Sequence, residues 1–259
     1  MLTPRLLFTH LLFGCLLILS GCAHPPENGR DKLLNLAHTM ALQGDAATAV
    51  RLYQRAVMEG DSSPEVLAAL GENQLAIHDY AGACQTLNMA LAQRADDQQL
   101  RYQKGVCSLF LGDATAADWL ASSAPQVGTA TAFTRLGYAQ LLRGRIKEAV
   151  TAFNRASQLA PGNPNMLSNL ALAEALEGNS FGARQASLAA VQAPAAQPSH
   201  ARNFLLVAAL LHQNPDEIAL PLNADERQQA WRQATVLAAQ GRSPADRARM
   251  IGRLSAQTR

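Results

Sequence analysis

Aromatic side chains make up only 5% of this sequence and charged ones only 16%. The first scarcity argues against a β-sandwich, whose sheets draw on aromatic and β-branched residues. The second leaves 22 basic residues against 20 acidic ones and a net charge of +2. That balance excludes the strong basic footprint of a nucleic-acid-binding surface. The chemistry-bearing motifs are missing as well. There is no phosphate-cradling glycine loop with lysine, no Gly-x-Ser-x-Gly elbow and no His-Glu-x-x-His. His38, His78, His200 and His212 are scattered, with no pair spaced to share one helix face. No segment is left over for a separate catalytic domain, so the chain reads as a non-enzyme with no dissociable cofactor and no metal. What is abundant is small and apolar: 48% of the residues are hydrophobic, with alanine dominant, a composition suited to close helix packing.

Only the N-terminus has an apolar run of note. Arg5 precedes Leu6 to Ile18, and no acidic residue occurs before Glu27. The run is too short to span ~30 Å of hydrocarbon, which takes about 20 residues. A positive start, a short apolar stretch and small residues at its end read as a cleaved export signal, residues 1–21. Leu19-Ser20-Gly21-Cys22 resembles the lipobox of bacterial lipoproteins. The resemblance implies a diacylglyceryl group on the sulfur of Cys22 and cleavage just before it. Several acyl chains, each contributing ~0.8 kcal/mol per buried methylene, hold such a protein on a bilayer. Ala23 stands where aspartate would retain the protein at the inner membrane, so the resemblance implies the periplasmic face of the outer membrane. His24 to Gly29, with Pro25 and Pro26, reads as a tether completing residues 22–29. Cleavage and lipidation leave Cys84 and Cys107 in an oxidising compartment. Each falls in a predicted helix of adjacent units, where a bridge and two buried thiols both fit.

From Arg30 the dominant signal is a repeat. Leu33, Leu36, Ala37, Gly44, Asp45, Ala49, Tyr53 and Ala56 recur 34 residues later as Leu67, Leu70, Gly71, His78, Asp79, Ala83, Leu87 and Ala90. Phe133, Leu136, Gly137, Gly144, Arg145, Ala149, Phe153 and Ala156 repeat the pattern, and Leu167, Leu170, Ala171, Gly178, Asn179, Ala183 and Ala190 repeat it again. Between them lies a degraded unit with Gly105, Gly112, Asp113 and Ala117, two residues shorter near Pro125. These residues resemble the tetratricopeptide repeat. The resemblance implies an all-α, right-handed superhelical solenoid of antiparallel helix pairs over residues 30–217, about five repeats plus a half repeat.

Beyond Pro221, Asp225 to Gln240 reads as a helix with Trp231 and Leu237 on its apolar face, and Ser243-Pro244 opens another. Residues 218–259 are therefore expected to cap the solenoid, whose last repeat otherwise leaves its core open. Arg242, Arg247, Arg249, Arg253 and Arg259 face a lone Asp246. This basic tail reads as solvated or as a contact for anionic headgroups or an acidic partner.

In the tetratricopeptide family the first helix of each pair lines a concave groove that takes peptides or extended partner segments. The resemblance places Asn35, His38, Glu72, Tyr102, Gln103, Arg135, Tyr138, Asn169 and Asn203 on that surface. The asparagines suit main-chain hydrogen bonding, and the tyrosines supply amphipathic contact area; a purely structural role in the repeat is the alternative for the asparagines. Arg101 and Lys104 replace apolar residues in the degraded unit, as a local distortion or a partner contact. The lipobox, the repeats and the runs Ser168 to Ala173 and Ala201 to Val207 together resemble the TadD lipoproteins of tight-adherence (Flp pilus) loci. That likeness implies a scaffold that helps an outer-membrane secretin assemble, as a pilotin does. A lipoprotein of another envelope machine (type IV pilus biogenesis, outer-membrane protein assembly) and an adaptor for a peptidoglycan hydrolase are the alternatives. Cys22→Ala is expected to abolish incorporation of a palmitate analogue and leave an uncleaved or soluble species. Undiminished labelling would overturn the anchor.

Overall fold

A computed structural model describes residues 29–215, 218–241 and 243–257. The export signal, Cys22 and most of the tether lie outside the described residues, as do Arg242 and Arg259. Among the described residues there are thirteen helices and no strand. They run as pairs: α1 (Gly29–Leu42) with α2 (Ala46–Met58), α3 (Pro64–Ala76) with α4 (Tyr80–Gln93), α5 (Gln98–Phe110) with α6 (Ala116–Val127), α7 (Ala130–Leu142) with α8 (Ile146–Leu159), and α9 (Pro164–Glu177) with α10 (Ser180–Gln192). Then follow α11 (Pro198–Leu210), α12 (Ala224–Ala239) and α13 (Pro244–Gln257). No helix among the described residues is long and apolar enough to cross a membrane.

Each pair is held at a crossing where one helix presents almost no side chain. A Cβ added to Gly71 would lie 2.8 Å from Leu87, one on Gly105 2.7 Å from Leu120, and one on Gly137 2.5 Å from the Phe153 ring. The large side chain of the second helix therefore rests directly on the backbone of the first. Ala37 and Ala171 take the same place in the flanking units and are fully buried. Phe153, Leu87 and Leu120 are themselves almost wholly removed from water, a burial that contributes roughly 1.5–3 kcal/mol per side chain.

The tight turns inside the pairs repeat as well. Gly44, Gly112, Gly144 and Gly178 each hold a positive φ after the first helix, the left-handed C-cap that glycine adopts without a Cβ penalty. His78 and His212 hold it in glycine's absence, at φ 63° and 55°. In three of the units the next residue then caps the second helix with its side chain. A side-chain oxygen of Asp45 accepts from the Thr48 amide at 3.0 Å, Asp79 from Gly82 at 2.9 Å and Asn179 from Gly182 at 3.1 Å. Such caps are typically worth about 1 kcal/mol. Proline opens α3, α9 and α11, where its missing N–H has no intrahelical partner to lose.

In the short unit, Pro125 lies inside the last turn of α6, and Gly128 ends that helix at φ 68°. Thr129 then caps α7 directly. The shortening thus falls mainly in the connection between units, while α5 keeps 13 residues and α6 has 12. Cys84 of α4 and Cys107 of α5 form a disulfide across the boundary with the preceding unit, their Cα atoms 5.6 Å apart. That settles the choice the sequence left open.

Successive first helices touch: α3 meets α5, α5 meets α7, α7 meets α9 and α9 meets α11. The second helices make no comparable contact with one another. The stack therefore curves with its first helices inside, an all-α solenoid of packed helix pairs. At its end α12 packs on α11, where Ala230 and Ala234 join the core with Phe204 and Leu205. The last helix does something the sequence did not indicate. α13 leaves the end of the stack and folds back onto α7, with further contact to α9 and α5. Ala248 and Ile251 are buried there, and a Cβ on Gly252 would meet the Leu142 amide nitrogen at 2.8 Å. Backbone meets backbone at this point.

Gly137→Leu forces a side chain into the Phe153 ring, and overpacking of this kind typically costs ~1–3 kcal/mol. Ala149→Leu, at another fully buried site, is expected to lower the circular-dichroism melting temperature similarly. Arg145→Ala, exposed in the turn, is expected to change it little. Equal melting of all three would show that the crossing does not set stability.

Candidate functional site

The inner face is not equally open along its length. α13 covers α7 from Leu141 onward. Ahead of it, α3, α5 and the first part of α7 enclose a cavity of about 460 Å³. Five of the residues expected on the concave face line it: Glu72 from α3, Tyr102 and Gln103 from α5, Arg135 and Tyr138 from α7. Their helical spacing, repeated at the unit period, brings them onto one wall-to-wall surface.

Arg135 is held in a defined pose. Its guanidinium donates to the Tyr102 hydroxyl at 2.7 Å and lies 5.6 Å above the centre of the same ring. Both contacts fix the fork and stabilise its charge, the second by cation–π attraction. Glu72 stands on the opposite wall, exposed, and near enough that it adds to the effect of burial in raising the Tyr53 hydroxyl above its usual value. The floor is apolar, built from Leu75, Val106 and Leu109. At one end Tyr80 stacks on Phe110 with ring centroids 4.5 Å apart, and the Tyr80 hydroxyl lies 2.7 Å from His78 Nδ1.

Tyr138, which lines the cavity, and Asn169, which does not, are both deeply buried. They are 5% and 4% exposed. The Tyr138 hydroxyl donates to Asn169 Oδ1 at 2.6 Å, and its ring meets Phe153 edge-on at 5.2 Å. They tie α7 to α9 beneath the groove. Asn203 likewise serves the stack, donating to the Ser168 hydroxyl at 3.0 Å. Asn35 and His38 are exposed on α1, away from the cavity. Arg101 pairs with Asp96 at 2.9 Å and is thus engaged within its own unit. Burial lowers the pKa of Lys104, with Asp113 opposing that effect. Of the tail arginines, Arg249 pairs with Asp246 at 2.7 Å. Among the described residues no group of three or more His, Cys, Asp or Glu is placed to hold a metal ion.

The aromatic end of the cavity escaped the sequence reading. His78 and Tyr80 belong to a turn and a helix start, and Phe110 sits at the end of α5. A search restricted to recurring polar positions on the first helices passes over all three. The one available signal was His78 itself, an unusual residue in a glycine position.

No family model matches the chain. A curated relative, the BBSome complex member BBS4 of Xenopus tropicalis, is 27% identical over 135 residues, 49% of this chain and 25% of that protein. The chain thus spans about a quarter of that relative's length. Among solved structures, MamA of Desulfovibrio magneticus RS-1 superposes with a TM-score of 0.55 at 19% identity, covering 63% of this chain and 92% of MamA. YrrB, described as a TPR protein with an unusual peptide-binding site, gives 0.56 at 18% identity, over 62% of this chain and 84% of its own. The chain has the tetratricopeptide fold. Within that fold the cavity lies on the inner face of the tetratricopeptide stack, at the degraded third unit.

Asn169→Ala removes a buried hydrogen bond from the Tyr138 hydroxyl, a loss of about 1–3 kcal/mol. Asn169→Ala is therefore expected to shift urea unfolding by that amount, and Tyr138→Phe by less. The double variant should lose less than the sum of the two. Additive losses would show that the pair is not coupled.

Proposed function

We propose that this chain is a lipid-tethered scaffold which binds envelope proteins through its inner groove and catalyses nothing. The observation that carries the reading is the cavity itself. A preformed recess of about 460 Å³ on the inner face combines an apolar floor, a stacked aromatic pair and a cation held in a fixed pose. These are the ingredients that concentrate binding energy, and nothing around them is arranged as nucleophile with base. The peptide-binding site in the description of YrrB supports peptide recognition by the shared fold.

The tether belongs to the same proposal. The Leu-Ser-Gly-Cys sequence at Cys22 supports lipidation, Ala23 supports sorting to the outer membrane, and the short Pro-rich stretch to Asn28 keeps the groove near the bilayer. A binding protein fixed there meets the periplasmic parts of outer-membrane machines. Together with the TadD-like runs, this supports a role with a tight-adherence pilus machine, helping its secretin to assemble or localise.

Truncating two cavity groups that are only half buried, in the double variant Arg135→Ala with Phe110→Ala, is expected to weaken capture of the secretin at least tenfold. A hot-spot loss of ~1.4 kcal/mol suffices for that factor. The measurement is co-purification of the secretin with the tagged, lipidated protein, with helicity matched between wild type and variant. Deletion of the gene should also reduce assembled secretin in the outer membrane. Unchanged secretin assembly would remove the pilotin-like role, and unchanged capture by the variant would move the site off the cavity.

A further inference from the structure

The groove reading leaves the chemistry of the partner open, and the charge distribution inside the cavity narrows it. Arg135 is half-buried against Tyr102. Its bonds within the described residues run to that tyrosine alone, a hydroxyl and a ring face, and no carboxylate among the described residues pairs with it. Several other arginines pair with a carboxylate, Arg30 with Asp61, Arg94 with Glu65, Arg101 with Asp96 and Arg143 with Asp118, and Arg135 differs from the exposed remainder in lining a recess. A cation partly withdrawn from water without a counter-charge is costly, and it gains most from a ligand that supplies the missing anion. The guanidinium fork pairs best with a planar carboxylate, two donors against two acceptors.

Two further features shape the ligand. Gln103, 5% exposed on the cavity wall, has an Oε1 with no hydrogen-bond partner, an acceptor that a small side-chain rotation turns to an incoming main-chain N–H. Leu75, Val106 and Leu109 offer an apolar floor beside it. Meanwhile α13 packs on the end of α7 at Leu141 and Leu142, beside the recess and outside its lining. Glu72 on the α3 wall repels a second anion and so orients the first toward α7.

We infer that the cavity recognises an acidic peptide anchor, an aspartate or glutamate next to an apolar residue, with its carboxylate on Arg135 and its apolar side chain on the floor. This rests on the groove reading above and deepens it. Its volume lies within the roughly 300–1,000 Å³ of ligand-accepting clefts.

The test uses the full chain, immobilised in detergent, to select binders from random phage-displayed dodecapeptides. The expected consensus carries an acid beside an apolar residue. A selected peptide should lose at least tenfold in affinity on Arg135→Gln, and by a similar factor when its own acid is changed to the amide. The two changes together should cost little more than either alone. Arg135→Lys keeps the charge and should retain the preference for acid, and Arg145→Gln in the exposed turn should change nothing. A consensus without acid, no consensus at all, or additive losses for the two changes would overturn the inference. Selected peptides that bind the cavity without an acid would leave groove binding standing and remove only the acidic anchor.

Discussion

The contact of one bulky side chain with a bare stretch of helix backbone governs the rest of this molecule. Leu87 on Gly71, Leu120 on Gly105 and Phe153 on Gly137 let two helices approach so closely that no Cβ fits between them. The approach constrains how the two helices of a pair can cross. It also fixes which face of each first helix remains for its neighbours. Because the contact recurs at the unit period, the same angle recurs, and a repeated small rotation becomes a superhelix. Curvature then follows without further instruction, with first helices inside and second helices outside.

The site arises where this regularity is weakest. The third unit is two residues shorter, its connection to α7 is reduced to Gly128 and Thr129, and α5 is pinned to the preceding unit by the Cys84–Cys107 disulfide. The bridge closes a loop whose cross-linking removes ~3 kcal/mol of chain entropy from the unfolded state in the loop-closure account. It holds the α5 wall of the cavity in place. Tyr102 on that wall fixes Arg135 across the boundary with the next unit, so cavity side chains from two units are held by one hydrogen bond and one cation–π contact. Preorganisation of this kind reduces the ordering cost of association.

Much of this was legible in the order of residues. A positive-φ turn, a polar cap and a small residue at fixed offsets define a helix pair by local chemistry alone, because each acts within a few residues of itself. Identical offsets in four units define the stack, since each unit must bury its apolar face on the next. The candidate groove was legible in part. Projection along the repeat found Glu72, Tyr102, Gln103, Arg135 and Tyr138 at the cavity, yet it also gathered Asn169 and Asn203, which bond to neighbouring helices. Projection assigns a side chain to a face and says nothing of what closes over that face.

The sequence by itself determined the helix pairs, their turns and the period of the stack, all set by interactions between near neighbours. Only the tertiary structure decided that Cys84 meets Cys107, that Tyr138 reaches Asn169, and that α13 returns to pack on the end of α7. Each of those depends on two surfaces distant in the chain fitting within a few tenths of an ångström. The fit of Gly252 against the backbone at Leu142 has no signature in either segment read alone, because it exists only once the stack has curved.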